Sequence, residues 1–153
     1  MPVKSSLAPQ RIHVDVSFTT RKRPIPSRRA RDVVIATLDA ERVKDALISV
    51  AFVGSEMMAQ LNEQFLKHDG PTDVITFGLS RNGGKMPVIG DIYICPPVAQ
   101  QNAKSLGISA SEELARLLVH GTLHILGYDH PEDEGRTASP MWKRQERILD
   151  SLD

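Results

Sequence analysis

Three of the five histidines of this chain fall within one run of eleven residues, His120-Gly121-Thr122-Leu123-His124-Ile125-Leu126-Gly127-Tyr128-Asp129-His130. His120 and His124 are four apart. On a helix that places them about 40° apart around the axis and roughly 6 Å apart along it, so both imidazoles reach one ion from the same face. Gly127 offers the helix a stop, because glycine takes the left-handed conformation without a Cβ clash. Pro131 biases His130 toward extended backbone, which lets the returning chain present a third nitrogen. Three neutral imidazoles with water in an open fourth position form the arrangement of a catalytic zinc, whereas structural zinc sites close all four positions with protein atoms. One Zn2+ on His120, His124 and His130 is the expectation, although the same donors suit nickel, copper or iron.

The spacing His-x3-His-x2-Gly-x2-His is also that of the metzincin proteases, which carry a general-base Glu directly after the first His. Here that position is Gly121. Without the carboxylate, the peptidase route to water activation has no base.

The elements that must position these histidines follow from periodicity. Ser109 and Glu112 have the spacing of a capping box, and the helix they open runs to about Leu126. Leu114, Leu117, Leu118 and Leu123 give it an apolar stripe, so it is expected to be central and buried, holding its ligands rigidly. Ile12, Val14, Val16 and Phe18 alternate as in a half-buried strand. Ser27 is placed to cap a helix over about 28–42 with Ala30, Val33, Val34 and Leu38 inward. Residues 46–53 read as an interior strand. Gly54-Ser55 opens a helix to about residue 67, with Met57, Met58, Leu61 and Phe65 expected in the core. His68-Asp69-Gly70-Pro71 is turn chemistry. Strands over 73–79 and 87–95 flank a loop containing Gly83-Gly84, read as a hairpin and not as a phosphate loop. A short helix covers about 97–106, residues 131–140 are an acidic loop, and a last helix from about Pro140 to Leu152 docks through Met141, Ile148 and Leu149. This order implies an α+β domain: a small mixed sheet of about four strands packed on the central, metal-bearing helix, with further helices around it.

At 153 residues and 41% hydrophobic composition the chain suits one globular domain over 1–153, with 1–10 a loose terminus. The formal net charge of zero points to no class of partner. A single cysteine, Cys95, excludes an internal disulfide and suits a reducing cytoplasm; it reads as core. No apolar run is long enough for a membrane span and no signal-peptide pattern is present, so a soluble cytoplasmic protein is expected. The charges are nevertheless uneven. Residues 1–31 hold Lys4, Arg11, Arg21, Lys22, Arg23, Arg28, Arg29 and Arg31 against Asp15. Such a patch can neutralise phosphates, or be a solvated loop and helix start.

The run from His120 to His130 closely resembles the signature His-Gly-x-Leu-His-Leu-x-Gly-Tyr-Asp-His of the YbeY family of bacterial metal-dependent endoribonucleases. Leu61-Asn62 with Pro71-Thr72-Asp73-Val74-Ile75-Thr76-Phe77 is similar to that family's Leu-Asn…Pro-Thr-Asp-Val-Leu-Ser-Phe segment, and Gly90-Asp91-Ile92-Tyr93-Ile94 to its Gly-Asp-Ile-x-Ile strand. With the closing Met141…Glu146…Ile148-Leu149 helix, the resemblance runs over roughly 45–150. It implies a single-strand-specific endoribonuclease acting in 3′-end maturation of 16S ribosomal RNA and in ribosome quality control. It also implies a catalytic zinc on His120, His124 and His130, and work in the cytoplasm with the small ribosomal subunit. One position departs from the family: Leu66 follows Phe65 where members usually carry Arg, and leucine can neither grip a phosphate bidentately nor steady transition-state charge. Lys67 or His68 is the candidate replacement cation, and Lys67 is a point charge less suited to planar phosphate recognition. Asp129 is assigned to orienting a ligand imidazole or fixing the turn. Asp73 reads as a turn or capping residue, Tyr128 as packing, and His13 and Trp142 carry no assignment. Two alternatives stand beside the nuclease: a non-catalytic RNA-binding ribosome factor with a structural zinc, and a metal-dependent hydrolase of another substrate.

Overall fold

The computed structural model describes residues 11–79, 87–129 and 134–152, apart from the side chains of Glu134 and Arg136. Strand β1 (Arg11–Phe18) leads through helix α1 (Ser27–Ala40) to β2 (Asp45–Phe52), and α2 (Ser55–Leu61) continues into a π-helical turn (Asn62–Leu66). Then come β3 (Val74–Gly78), β4 (Val88–Ile94), α3 (Pro96–Leu106), α4 (Ala110–Ile125), a 3-10 turn (Glu134–Ala138) and α5 (Pro140–Ser151). The strands form one mixed sheet in the order β1-β2-β4-β3, with β3 antiparallel to β4 and the other pairs parallel. The α+β architecture expected from periodicity is therefore present.

Register explains which side chains face the helices. Ile12, Val14, Val16 and Phe18 of β1 pair with Ala46, Ile48, Val50 and Phe52 of β2, which pair in turn with Val88, Gly90, Ile92 and Ile94 of β4. This face meets α1 and α4 in the main core. The opposite face is less covered: β2 lies inside the sheet, but its Leu47 is 49% exposed. A smaller cluster of Val53, Met58, Ile75 and Cys95 sits on that face past the C-terminal ends of β2 and β4, confirming Cys95 as core.

Helix α4 is the hub. It packs on β3 and β4 and against α1, α3 and α5, and eleven of its residues are buried. Burial of leucines such as Leu114, Leu118 and Leu123 contributes roughly 1.5–3 kcal/mol each relative to exposure. Ser109 Oγ accepts from the Glu112 N–H at 3.1 Å, as the capping spacing predicts. The close approach to the sheet depends on glycine. A Cβ at Gly121 would stand 3.1 Å from Ile92 Cγ2 and 3.2 Å from Thr76 Cγ2, and one at Gly90 would stand 2.7 Å from Ile125 Cδ1.

Several local expectations are corrected. Ser27 is the first helical residue and caps nothing; Pro26 precedes it as N-cap, without a side-chain bond. The helix from Ser55 does not reach residue 67 in α form, since its last turn widens into the π geometry over Asn62–Leu66. The wider winding takes Phe65 off the stripe set by Met58 and Leu61. Phe65 is 51% exposed and Met57 43% exposed, whereas both were expected in the core. Part of the expected acidic loop is the 3-10 turn. Residues 1–10, the loop with Gly83-Gly84, and His130 lie outside the described residues.

Candidate metal centre and catalytic cleft

His120 and His124 leave α4 on one face, with ring centroids 4.7 Å apart and planes at 76°. The helix ends directly after them. Gly127 takes φ 104°, its N–H donates to the His124 carbonyl at 3.0 Å, and the Tyr128 N–H donates to the Leu123 carbonyl at 3.0 Å. This double closure is a Schellman stop, so the glycine read as a terminator acts as one. Tyr128 does more than pack. Its hydroxyl donates to Glu41 Oε1 at 2.7 Å, and Arg144 Nε donates to Glu41 Oε2 at 2.6 Å. The turn leaving α4 is thereby tied to the end of α1 and to α5. The Glu41 hydrogen bond, then burial, push the Tyr128 hydroxyl above its ordinary range.

The tautomer of His120 follows from a chain of buried polar groups. Gln145 Nε2 donates to Glu146 Oε2 at 2.9 Å, so Gln145 Oε1 is the atom left to accept. It lies 2.7 Å from His120 Nδ1, which must therefore carry the proton. That makes Nε2 the lone-pair nitrogen, the form a metal requires, with the ring orientation set from outside the donor set. Glu146 is held in turn by Arg116 through two bonds, Nε to Oε2 at 2.9 Å and Nη2 to Oε1 at 3.0 Å. Arg116 Nη1 also donates to Glu113 Oε1 at 3.1 Å. Burial raises the Glu146 carboxyl, but hydrogen bonds from Arg116 and Gln145, with the Arg116 charge, outweigh it and hold the group below its ordinary range. The same contact with Glu146 holds the Arg116 guanidinium above its own. Fork-to-fork pairs of this kind fix geometry as well as charge.

His120 opens into a cleft of ≈ 330 Å³ whose lining includes Asp73, Asn102, Glu113, Arg116, Trp142 and Gln145. Asp73 is more than a turn residue. Its backbone carbonyl accepts from Cys95 N–H at 2.9 Å, while Asn102 Nδ2 donates to its Oδ2 at 3.1 Å. Its carboxylate is thus presented on the same cleft as His120. Lys67 and Asp129 are exposed and are not among the described lining residues. Lys67 ends the π turn in left-handed conformation, φ 60° and ψ 29°. His13 is exposed on the outer sheet face.

The donor chemistry fits a divalent ion: two imidazoles on one helical face, one of them held by Gln145 with its Nδ1 as donor. The third expected ligand, His130, lies outside the described residues, and no group of three His, Cys, Asp or Glu gathers among the described ones. Gly121 bears on the metzincin comparison. Position 121 faces Ile92 and Thr76 at near-contact distance, so a glutamate there would be driven into the sheet.

Sequence reasoning passed over Gln145, Arg116, Glu113 and Asn102. A signal was present: Glu113, Arg116, His120 and His124 follow each other at three- and four-residue steps, one polar stripe along an otherwise apolar helix. Gln145 likewise lies one turn from Met141 on the buried face of α5.

Comparison with known proteins adds an independent line. The sequence profile of the family Endoribonuclease YbeY matches residues 15–153. The chain is similar to the endoribonuclease YbeY of Chlorobaculum parvum, 34% identical over 88% of this chain and 92% of that one. It resembles that of Xanthomonas campestris at 34% identity over 90% and 88%. A solution structure of a protein from Thermotoga maritima superposes with TM-score 0.61 at 25% identity, covering 90% of this chain and 87% of that one.

Proposed function

The chain belongs to the YbeY endoribonuclease family, and from that premise we propose that it is a zinc-dependent enzyme cutting single-stranded RNA. The proposed setting is 3′-end maturation of 16S ribosomal RNA and ribosome quality control, in the cytoplasm and in company with the small ribosomal subunit. Among the described residues no helix is long and apolar enough to cross a membrane, and no membrane partner is proposed.

The observation that carries the metal reading is the buried contact between His120 Nδ1 and Gln145 Oε1, because it selects the tautomer that binds a cation through Nε2. His120, His124 and His130 would hold the ion. When bound, zinc supplies Lewis acidity toward a phosphodiester, stabilising charge that develops as the bond breaks. The other work falls to the protein. Gln145 fixes the imidazole of His120, and the Arg116–Glu146 pair fixes the amide of Gln145. The Asp73 carboxylate, steadied by Asn102, is the group placed to accept a proton or hydrogen bond from a hydroxyl in the cleft. Asp129 follows the Schellman turn and has a supporting role there, and Lys67 contributes positive charge at the protein surface.

Single-turnover cleavage of a labelled single-stranded RNA tests this reading. The samples are the purified protein, metal-stripped protein with and without added zinc, and His120→Ala, with metal content determined for each. Cleavage that follows zinc and is lost in His120→Ala is the expected result. A fully metallated protein that leaves RNA intact would instead identify a non-catalytic ribosome factor with a structural zinc.

A further inference from the structure

Among the described residues, the cleft that holds His120 offers a polyanion no unengaged side-chain cation. Its described lining offers Asp73 and Glu113 against Arg116, and Arg116 is already engaged by Glu113 and Glu146. Leucine stands at position 66. Sequence-independent affinity for nucleic acid comes mainly from neutralised phosphates, so it has to be supplied elsewhere on the surface.

A second cleft, of ≈ 560 Å³, opens where the loop between β1 and α1 meets the start of α3. Arg21, Lys22 and Arg23 line it together with Pro96, Pro97 and Gln100, and among the described residues no carboxylate is in its lining. All three cations are exposed, and among the described residues none is in an ion pair. The loop has some order of its own. Arg23 lies 5.1 Å from the centroid of the Phe18 ring, a contact that orients a guanidinium without neutralising it. Thr20 Oγ1 donates to the Lys22 carbonyl at 3.1 Å. On α3, Pro96, Pro97 and Gln100 lie on roughly the opposite side from Asn102, Ser105 and Leu106, which line the catalytic cleft. The two sets also lie six to seven residues apart along the axis, so ~10 Å across the helix and ~10 Å along it separate the two clefts, and only a strand longer than the reacting nucleotides can occupy both.

We propose that the Arg21–Lys22–Arg23 cleft is a docking subsite for the sugar-phosphate backbone of single-stranded RNA, supplying salt-dependent affinity beyond what the described side chains of the metal-bearing cleft offer. The proposal rests on the endoribonuclease reading. A narrow, flexible polyanion fits a concave cleft of this size, whereas an acidic protein surface does not enter it.

The test is fluorescence anisotropy of a labelled single-stranded RNA of about 12 nucleotides, within the usual site-size range, across a salt series with chelator present to prevent cleavage. Wild type is compared with the Arg21→Gln/Lys22→Gln/Arg23→Gln and Arg21→Glu/Lys22→Glu/Arg23→Glu variants. Single-turnover cleavage of the same RNA by the zinc-loaded proteins is measured in parallel. The glutamine variant is expected to lose roughly tenfold in affinity and about 2 in the slope of log K against log salt, near 0.7 per lost phosphate contact. The glutamate variant should lose more, while the cleavage rate at saturating RNA stays unchanged. Equal affinities and slopes for wild type and both variants would overturn the proposal, as would failure of the wild type to bind RNA at low salt. Binding that depends on the loop in a protein that never cleaves RNA would support the subsite and overturn the enzymatic reading instead.

Discussion

Helix α3 stands between two clefts that meet solvent in opposite ways. On the His120 side the polar and ionisable groups are tied by hydrogen bonds: Asp73 to Asn102, Glu113 to Arg116, Arg116 to Glu146, and His120 through Gln145 to Glu146. On the other side, three adjacent cations face water on a proline-flanked loop. A metal ligand needs direction, and direction in a folded chain comes from partners that over-determine each side chain. A surface that attracts a polyanion needs only net charge at reach, and partners of opposite sign would cancel it. The first region should therefore be sensitive to shape and hydrogen bonding at fixed charge, and the second to charge alone.

The largest effect is expected from His120→Ala, which removes a proposed metal ligand. Zinc affinity should fall by at least about a hundredfold, beyond the usual cost of losing an outer partner alone, and RNA cleavage should fall with it. Metal content after dialysis against a graded chelator, beside single-turnover rates, checks both. Gln145→Leu keeps every charge and every ligand but removes the acceptor at His120 Nδ1. Zinc affinity should drop roughly 10–100-fold, and nitrogen NMR of the imidazole should show loss of the single tautomer. An unchanged tautomer would show that Gln145 does not set it.

Gly121→Ala asks how far α4 depends on its seat. The added methyl meets Ile92 and Thr76 at 3.1 and 3.2 Å, and overpacking of this kind costs about 1–3 kcal/mol, read as a shift in the denaturation midpoint. Glu146 gives a pH signature. Its folded pKa lies below the unfolded value of about 4.3, so its stabilisation is whole above that pH and is lost as pH falls through the lowered folded value. Glu146→Gln should flatten that acid-side loss in a pH series of denaturation midpoints, and an unaltered acid limb would contradict the linkage. The smallest effect is a matched pair. Arg21→Lys keeps the charge of the basic loop and should leave RNA binding within error, whereas Arg116→Lys loses the two-point grip on Glu146 and should weaken zinc affinity measurably.

Much of the site was legible because its grammar is local. The four-residue step from His120 to His124, the Ser109 cap and the Gly127 stop each involve neighbours within a turn or two, where geometry follows from residue type. Strand alternation and the leucine stripe of α4 gave the α+β arrangement for the same reason. Local pattern misled where a helix changed its winding. The π turn at Asn62–Leu66 took Phe65 out of the stripe it occupies in an ideal α-helix.

What the sequence determined by itself was the chemistry on offer: imidazoles at metal-binding spacing, a helix that buries itself and ends in time, and a cationic run near the start of the chain. Only the tertiary structure decided how those groups are tuned and divided. Gln145 meets His120 across 25 positions, Asn102 meets Asp73 across 29, and Glu146 meets Arg116 across 30. Those pairings depend on the strand order β1-β2-β4-β3 and on helices docking around α4. Such contacts are made by the packing of whole elements, and no propensity acting over a few residues can specify them.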